Sequence, residues 1–295
     1  MNLGLALGGG GAKGLAHIGV LEVLEEHHIK PTFVAGTSIG SIVGALYCLS
    51  GSAKNLRETA RIMIQSEEFK NLGLDKFYTE TENVFERFKR EVFEKFYFGA
   101  LLFKKSHSKI EAARKLYSDL FGDKNFEDCK MGFACNALDI QSGDEIVFQS
   151  GPIADAVWAS CAIPGIFPPF VKEDRIFVDG SVVDNIPIKP VKKIGARKVL
   201  AVYLGHRPQF HGEPDTGFRI NQRSFSFMKY HFDQYLLLLA DVVINPDVSA
   251  FHWADFSALD ALIEQGRCAT VNNISKIQSI LSFWYRLKKN IVSKC

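Results

Sequence analysis

A chain of 295 residues with 47% hydrophobic residues and a formal net charge of +2 can bury a large core, and its balanced charge offers no global case for nucleic-acid binding. Its six cysteines, Cys48, Cys129, Cys135, Cys161, Cys268 and Cys295, form no C-x-x-C pair, so they signal neither a zinc site nor a disulfide framework, and a reduced, cytoplasmic chain is expected. The N-terminus lacks the basic region of a signal peptide and no apolar run reaches transmembrane length, so any membrane contact is expected to be peripheral.

Without a Pro/Gly/Ser linker, residues 1–295 read as a single domain. Residues 3–7 form a short apolar run, followed by Gly8-Gly9-Gly10-Gly11-Ala12-Lys13-Gly14 and then an apolar helical face at Leu15, Ile18, Leu21 and Leu24, a strand, glycine loop and helix. Three readings of that loop compete. Gly9-x-Gly11-x-x-Gly14 formally matches a dinucleotide fingerprint, but the next strand, near 32–35, ends in Gly36 rather than an acid for the ribose. A P-loop fails because Gly14 follows Lys13 where Ser or Thr is required. The third reading, preferred here, turns the loop's N–H groups toward a developing oxyanion beside a serine on the adjacent strand.

That serine lies in Gly36-Thr37-Ser38-Ile39-Gly40, between the second strand and a helical run over 42–49. Such a turn is a nucleophile elbow: flanking glycines relieve backbone crowding, and the hydroxyl is lifted out of the sheet. Residues 53–65 predict a helix, and 66–122 predict a helical insertion rich in Phe, which serves either core packing or an acyl-chain channel or lid. Strands are predicted at 131–138 and 145–148, a helix at 153–161, a rigid Pro-rich loop at 163–169, and a strand at 175–178 that delivers Asp179-Gly180-Ser181. By spacing alone Asp179 is a turn former or a catalytic carboxylate.

Further strands at 198–204 and 242–245 and helices at 225–240 and 258–271 complete an α/β pattern, which implies a layered sandwich with a largely parallel sheet. The tail, about 274–292, carries Ile277, Ile280, Trp284, Leu287 and Ile291 on one stripe, with Arg286, Lys288 and Lys289 near its end. It predicts an amphipathic helix that packs on the body or lies on an anionic membrane. A hydrolase triad would need a histidine, and His206, His211, His231 and His252 are the candidates after Asp179; none sits in a stretch that marks it as one.

Together the glycine loop with its basic residue Lys13, the elbow around Ser38 and the Asp179-Gly180-Ser181 motif resemble, in order, the bacterial patatin-like phospholipases. A fourth block, from Ala159 to Pro169, is similar to that family's loop before the catalytic aspartate. The resemblance covers about residues 1–204. It implies a three-layer αβα fold and a lipid acyl hydrolase with a Ser/Asp dyad that needs no metal or cofactor. Ser38 would be the nucleophile and Asp179 the base. Gly9, Gly10 and Gly11 would supply oxyanion donors, and Lys13, where the family often has arginine, would hold a lipid phosphate. Ser181 departs mildly from the family's usual glycine or alanine. A thioesterase or general carboxylesterase with the same dyad, and a non-catalytic regulator that keeps the fold, are the alternatives.

Overall fold

The computed structural model describes residues 2–78, 104–106, 108–210 and 212–292, with side chains for all of these but 75 and 283–292. Eight strands form one sheet: β1 (Leu3–Leu7), β2 (Phe33–Gly36), β3 (Gly132–Asp139), β4 (Glu145–Phe148), β5 (Phe170–Lys172), β6 (Arg175–Asp179), β7 (Lys198–Val202) and β8 (Val242–Ile244). Their order is β5-β6-β3-β2-β1-β7-β8, with β4 also paired to β3. The pairs β3-β2, β2-β1, β1-β7 and β7-β8 are parallel, with Leu5 of β1 opposite both Val34 and Leu200. At the other edge β4 and β6 run antiparallel to β3, and β5 antiparallel to β6.

Nine helices accompany the sheet among the described residues: α1 (Ala16–Glu26), α2 (Ile39–Ser50), α3 (Leu56–Gln65), α4 (Glu67–Lys70), α5 (Ile110–Phe121), α6 (Ile153–Cys161), α7 (Ile188–Lys193), α8 (Gly217–Leu237) and α9 (Leu259–Val292). Every residue of β1 is buried, as a strand covered on both faces requires. Its alternation divides the core. Leu3, Leu5 and Leu7 pack with residues of α1, α2, α6 and α9 on one side. Ala6 joins Ala35, Ala134, Val199 and Ala201 against α7 and Leu236 of α8 on the other. The result is a three-layer αβα sandwich, and each fully buried Leu or Ile contributes about 1.5–3 kcal/mol of transfer free energy.

Strand order reverses at β1: β2 and β3 follow on one side, β7 and β8 on the other. In open α/β sheets the crevice outside such a reversal, at the carboxyl ends of the strands, is where ligands bind.

Two predicted boundaries shift for identifiable reasons. Helix α8 starts eight residues before the predicted 225, since Thr216 caps it by accepting the Arg219 N–H. The stretches read separately at 258–271 and beyond 274 are one helix, α9. Asn272 and Asn273 do not break it, and the Asn273 side chain donates to the Ala269 carbonyl instead. The tail stripe is packed on the body as far as Leu281, with Ile277 fully buried. In the predicted insertion, α4 and α5 are helical; its Phe-rich part, 79–103, lies outside the described residues. Among the described residues no helix is long and apolar enough to cross a membrane.

Candidate active site

Between β2 and α2, Ser38 adopts φ 54° and ψ −128°. A non-glycine residue held there costs on the order of 1–3 kcal/mol and persists only where its surroundings fix it. They do so here. The Ser38 N–H donates to Ser160 Oγ at 3.0 Å, and its carbonyl accepts from Ser41 Oγ at 2.6 Å. One residue earlier, the Thr37 N–H donates to the Leu7 carbonyl at 3.0 Å. Elbow and β1 approach so closely that a Cβ on Gly40 would lie 2.2 Å from the Leu7 oxygen. Glycine is therefore required at position 40 by space.

The glycine loop leaves β1 alongside this elbow and enters a 3-10 turn at Gly11–Leu15. It is tied from below: the Gly8 N–H donates to Val202 O at 3.1 Å, and His17 Nε2 donates to Gly8 O at 2.7 Å. Burial pushes His17 down to about 4, so this ring is neutral and structural. The expectation for Gly9 needs correction, because its N–H donates to the Asn185 carbonyl at 3.0 Å and that donor is already used. Gly10 and Gly11 open the turn, where N–H groups have no intrahelical acceptor. Among the described residues neither amide has a hydrogen-bond partner.

Asp179 ends β6 and is buried. Its Oδ1 accepts the Ser181 N–H at 2.8 Å, while Oδ2 has no hydrogen-bond partner. Burial drives its pKa above the usual carboxylate range; the Ser38 hydroxyl is the leading influence in the opposite sense.

Ser38 and Asp179 open into one cavity of about 830 Å³, lined also by Gly9, Gly10, Gly11 and Lys13. It lies at the β1/β7 reversal, with Tyr203 to His206 on one wall and Ser226, Lys229 and Tyr230 of α8 on another. Lys13 makes no ion pair among the described residues, and burial lowers its pKa; its charge in turn helps hold His206 below the usual value, behind desolvation. On the other side of Ser38 a narrow apolar cleft of about 50 Å³ runs between Ile42, Met63, Leu72 and Leu116. Ser38 thus stands where the polar chamber meets an apolar slot.

Of the four histidines considered, His206 and His252 line the cavity, but no hydrogen bond to Ser38 is found for either. His252 Nδ1 accepts the Ala254 N–H and its ring stacks on Tyr78. His231 is exposed on α8, and His211 lies outside the described residues. Sequence reasoning missed Ser160, Asn136 and Lys229. Ser160 and Asn136 sit inside a regular helix and strand with no local mark of their role, and Lys229 reads as an ordinary surface lysine.

A family profile described as patatin-like phospholipase matches residues 5–192. Lysophospholipase nte1 of Aspergillus fumigatus is 31% identical over 222 residues, covering 73% of this chain and 13% of that protein. Lysophospholipase NTE1 of Debaryomyces hansenii is 29% identical over 222 residues, covering 74% and 13%. The chain therefore spans a small fraction of these relatives. Among solved structures, VipD from Legionella pneumophila overlays with a TM-score of 0.46 at 14% identity, covering 93% of this chain and 66% of that one. The type III effector protein ExoU gives 0.43 at 15%, covering 93% and 53%. With the profile spanning the glycine loop, the elbow and the strand that ends in Asp179, the chain belongs to the patatin-like phospholipase family.

Proposed function

We propose that this chain is a serine lipid acyl hydrolase that cleaves fatty acyl esters of phospholipids or lysophospholipids with Ser38 and Asp179 alone. The observation that carries this reading is the pairing of a strained elbow serine with a buried aspartate oxygen that has no other partner, in one cavity. Ser38 Oγ attacks the ester carbonyl carbon as its proton passes to Asp179. The carbonyl oxygen becomes an oxyanion, which the Gly10 and Gly11 amides meet; one such donor is typically worth about a hundredfold or more in turnover. Collapse expels the alcohol, which takes the proton from Asp179 and leaves an acyl-Ser38. Water then attacks the acyl carbon, gives its proton to Asp179, and the second collapse returns that proton to Ser38 as the fatty acid departs.

The two-sided surroundings of Ser38 suit such an ester. An acyl chain enters the apolar slot, and an anionic head group faces Lys13 in the chamber, held by a point charge rather than a bidentate fork. We also read the compartment as reducing and cytoplasmic, a reading supported by the buried, unpaired Cys48, Cys135 and Cys161.

The test is labelling by a fluorophosphonate probe with peptide mapping, beside Ser38→Ala and Asp179→Asn. Labelling confined to Ser38 and lost in both variants is the expected result. Normal labelling of Asp179→Asn, or a folded wild type that is never labelled, overturns the dyad.

A further inference from the structure

Helix α8 reaches the site through a pair of residues one turn apart, Lys229 and Asp233, both of which line the cavity. Lys229 Nζ lies 3.6 Å from Asp233 Oδ1, at the i,i+4 spacing that brings two side chains together on one helix face. Each member also grips a different part of the proposed machinery. Lys229 Nζ donates to the Ser181 carbonyl at 3.2 Å, and the N–H of that same residue is the donor on Asp179 Oδ1. Asp233 is buried and its Oδ2 accepts from Asn185 Nδ2 at 3.4 Å, while the Asn185 carbonyl takes the Gly9 N–H. One turn of α8 is thus tied both to the turn after the base and to the glycine loop.

We propose that Lys229 is a positioning residue for the hydrolysis: anchored by Asp233, it pins the Asp179-Gly180-Ser181 turn and presents a positive charge to the Asp179 carboxylate. This rests on the dyad reading of Ser38 and Asp179. The groups that face Asp179 from the other elements carry no charge of their own. Ser38 and Ser181 offer it hydrogen bonds. Burial pushes the Cys161 thiol of α6 up to about 12 and the Tyr117 phenol of α5 well above its ordinary value, so both stay neutral. Lys229 supplies a cation that acts on Asp179 against the effect of burial, as an opposite charge near a carboxylate does. Lys229 itself faces Asp233, and around Asp233 stand Tyr203 at the end of β7 and Asp184, which feels the Asp233 charge.

The test is the pH dependence of kcat/KM for a neutral, soluble short-chain ester, measured on the full chain and on its Lys229→Met, Lys229→Arg and Asp179→Asn variants. A neutral ester keeps head-group contacts out of the readout. Lys229→Met removes charge and donor but keeps the apolar stem. Its acidic limb is expected to move to higher pH, since burial then acts on Asp179 without the opposing charge, and its kcat on the alkaline plateau to fall about tenfold from the loosened turn. Lys229→Arg keeps charge and donor and is expected to return the limb to its wild-type position. A limb that stays in place in Lys229→Met, whatever happens to kcat, or one that arginine does not restore, overturns the proposal. Should Lys229→Met fold poorly by circular dichroism, Asp233→Asn decides. It keeps an oxygen for Asn185 and strips the counter-charge from Lys229, so the limb is expected to move to lower pH; a limb that stays or rises overturns the proposal. Asp179→Asn separates the two readings. Hydrolysis at the wild-type rate there refutes the dyad, whereas an inactive Asp179→Asn beside an unmoved limb in Lys229→Met refutes the role of Lys229 alone.

Discussion

Thr37 Oγ1 donates to Asn136 Oδ1 at 2.7 Å, which joins the residue before the elbow serine to the middle of β3. The same amide donates through Nδ2 to the Asp184 carbonyl and to Glu145 Oε1, each at 2.9 Å, and so holds the loop that follows Asp179. One buried side chain fixes the separation of the proposed nucleophile and base. Asn136→Ala is expected to lower kcat on a soluble ester about ten- to a hundredfold with KM nearly unchanged, since placement errors of this kind act on the reacting geometry. A global loss of about 1–3 kcal/mol from the unsatisfied partners accompanies it. Steady-state kinetics with denaturant melts check both, and a rise in KM at constant kcat would contradict the positioning role.

In the proposed dyad Asp179 acts as a base only when ionised, and burial raises its pKa despite the Ser38 hydroxyl. Activity is therefore full on the alkaline side and is lost as pH falls through a value above about 3.9, the ordinary aspartate pKa. The acidic limb of kcat/KM for a neutral ester reports that value in the free enzyme. A limb at or below the ordinary value, or one unchanged in a variant with residual activity at Asp179, would remove Asp179 from the base role.

The readable parts of this site are those whose chemistry is local. Ser38 between Gly36 and Gly40, and Asp179 before Gly180, announce turns that a few consecutive residues determine, and strand β4 and helix α6 lie where period and breakers put them. What failed is long-range. Gly9 reads like its neighbours until its N–H is seen on Asn185, far along the chain. Strand order, which places Tyr203 to His206 across from the glycine loop, depends on pairings with no local trace. The start of α8 was legible in Thr216, a residue type that caps helices.

Asp184 lies behind the elbow with Oδ1 accepting the Ile186 N–H at 3.0 Å and Oδ2 unpartnered. Burial first, then the charges of Glu145 and Asp233, push its pKa to about 7. The native state thus binds this proton more tightly than the unfolded chain, so the group stabilises below the ordinary aspartate pKa and loses that contribution as pH rises toward 7. Asp184→Asn keeps the acceptor for Ile186 and removes the charge. It is expected to raise Tm at pH 8 and to flatten the decline between pH 4 and 7, by a few kcal/mol at most at about 1.4 kcal/mol per tenfold in proton affinity. Thermal melts across that range check it; an equal decline in the variant would point to another group.

Among the described residues Lys13 has no ion pair, and it lines the chamber, so under the proposed reading Lys13→Met should discriminate by head group. Turnover of an anionic lysophospholipid is expected to fall about tenfold, as removal of one charge-assisted contact worth about 1.5–3 kcal/mol predicts. A neutral acyl ester of the same chain should change little. Equal losses on both substrates would assign Lys13 to the architecture of the loop instead.

Helix α9 crosses α1 where Gly266 faces the Ala16 carbonyl, and a Cβ there would lie 1.9 Å from that oxygen. Two effects of Gly266→Ala oppose each other. Alanine favours the helix by about 1 kcal/mol over glycine, while separating two packed helices costs typically 1–3 kcal/mol or more. Backbone, not a flexible side chain, is the obstacle, so the clash wins and Tm is expected to fall by several degrees. Activity should fall with it, because Ala16 directly follows the Gly11–Leu15 turn and its displacement moves the Gly10 and Gly11 amides. The signature is a drop in kcat for protein that remains folded at the assay temperature. A variant that melts lower but turns over normally would mean that the loop's other ties, from His17, Val202, Asn185 and Trp253, hold it without the α1–α9 contact.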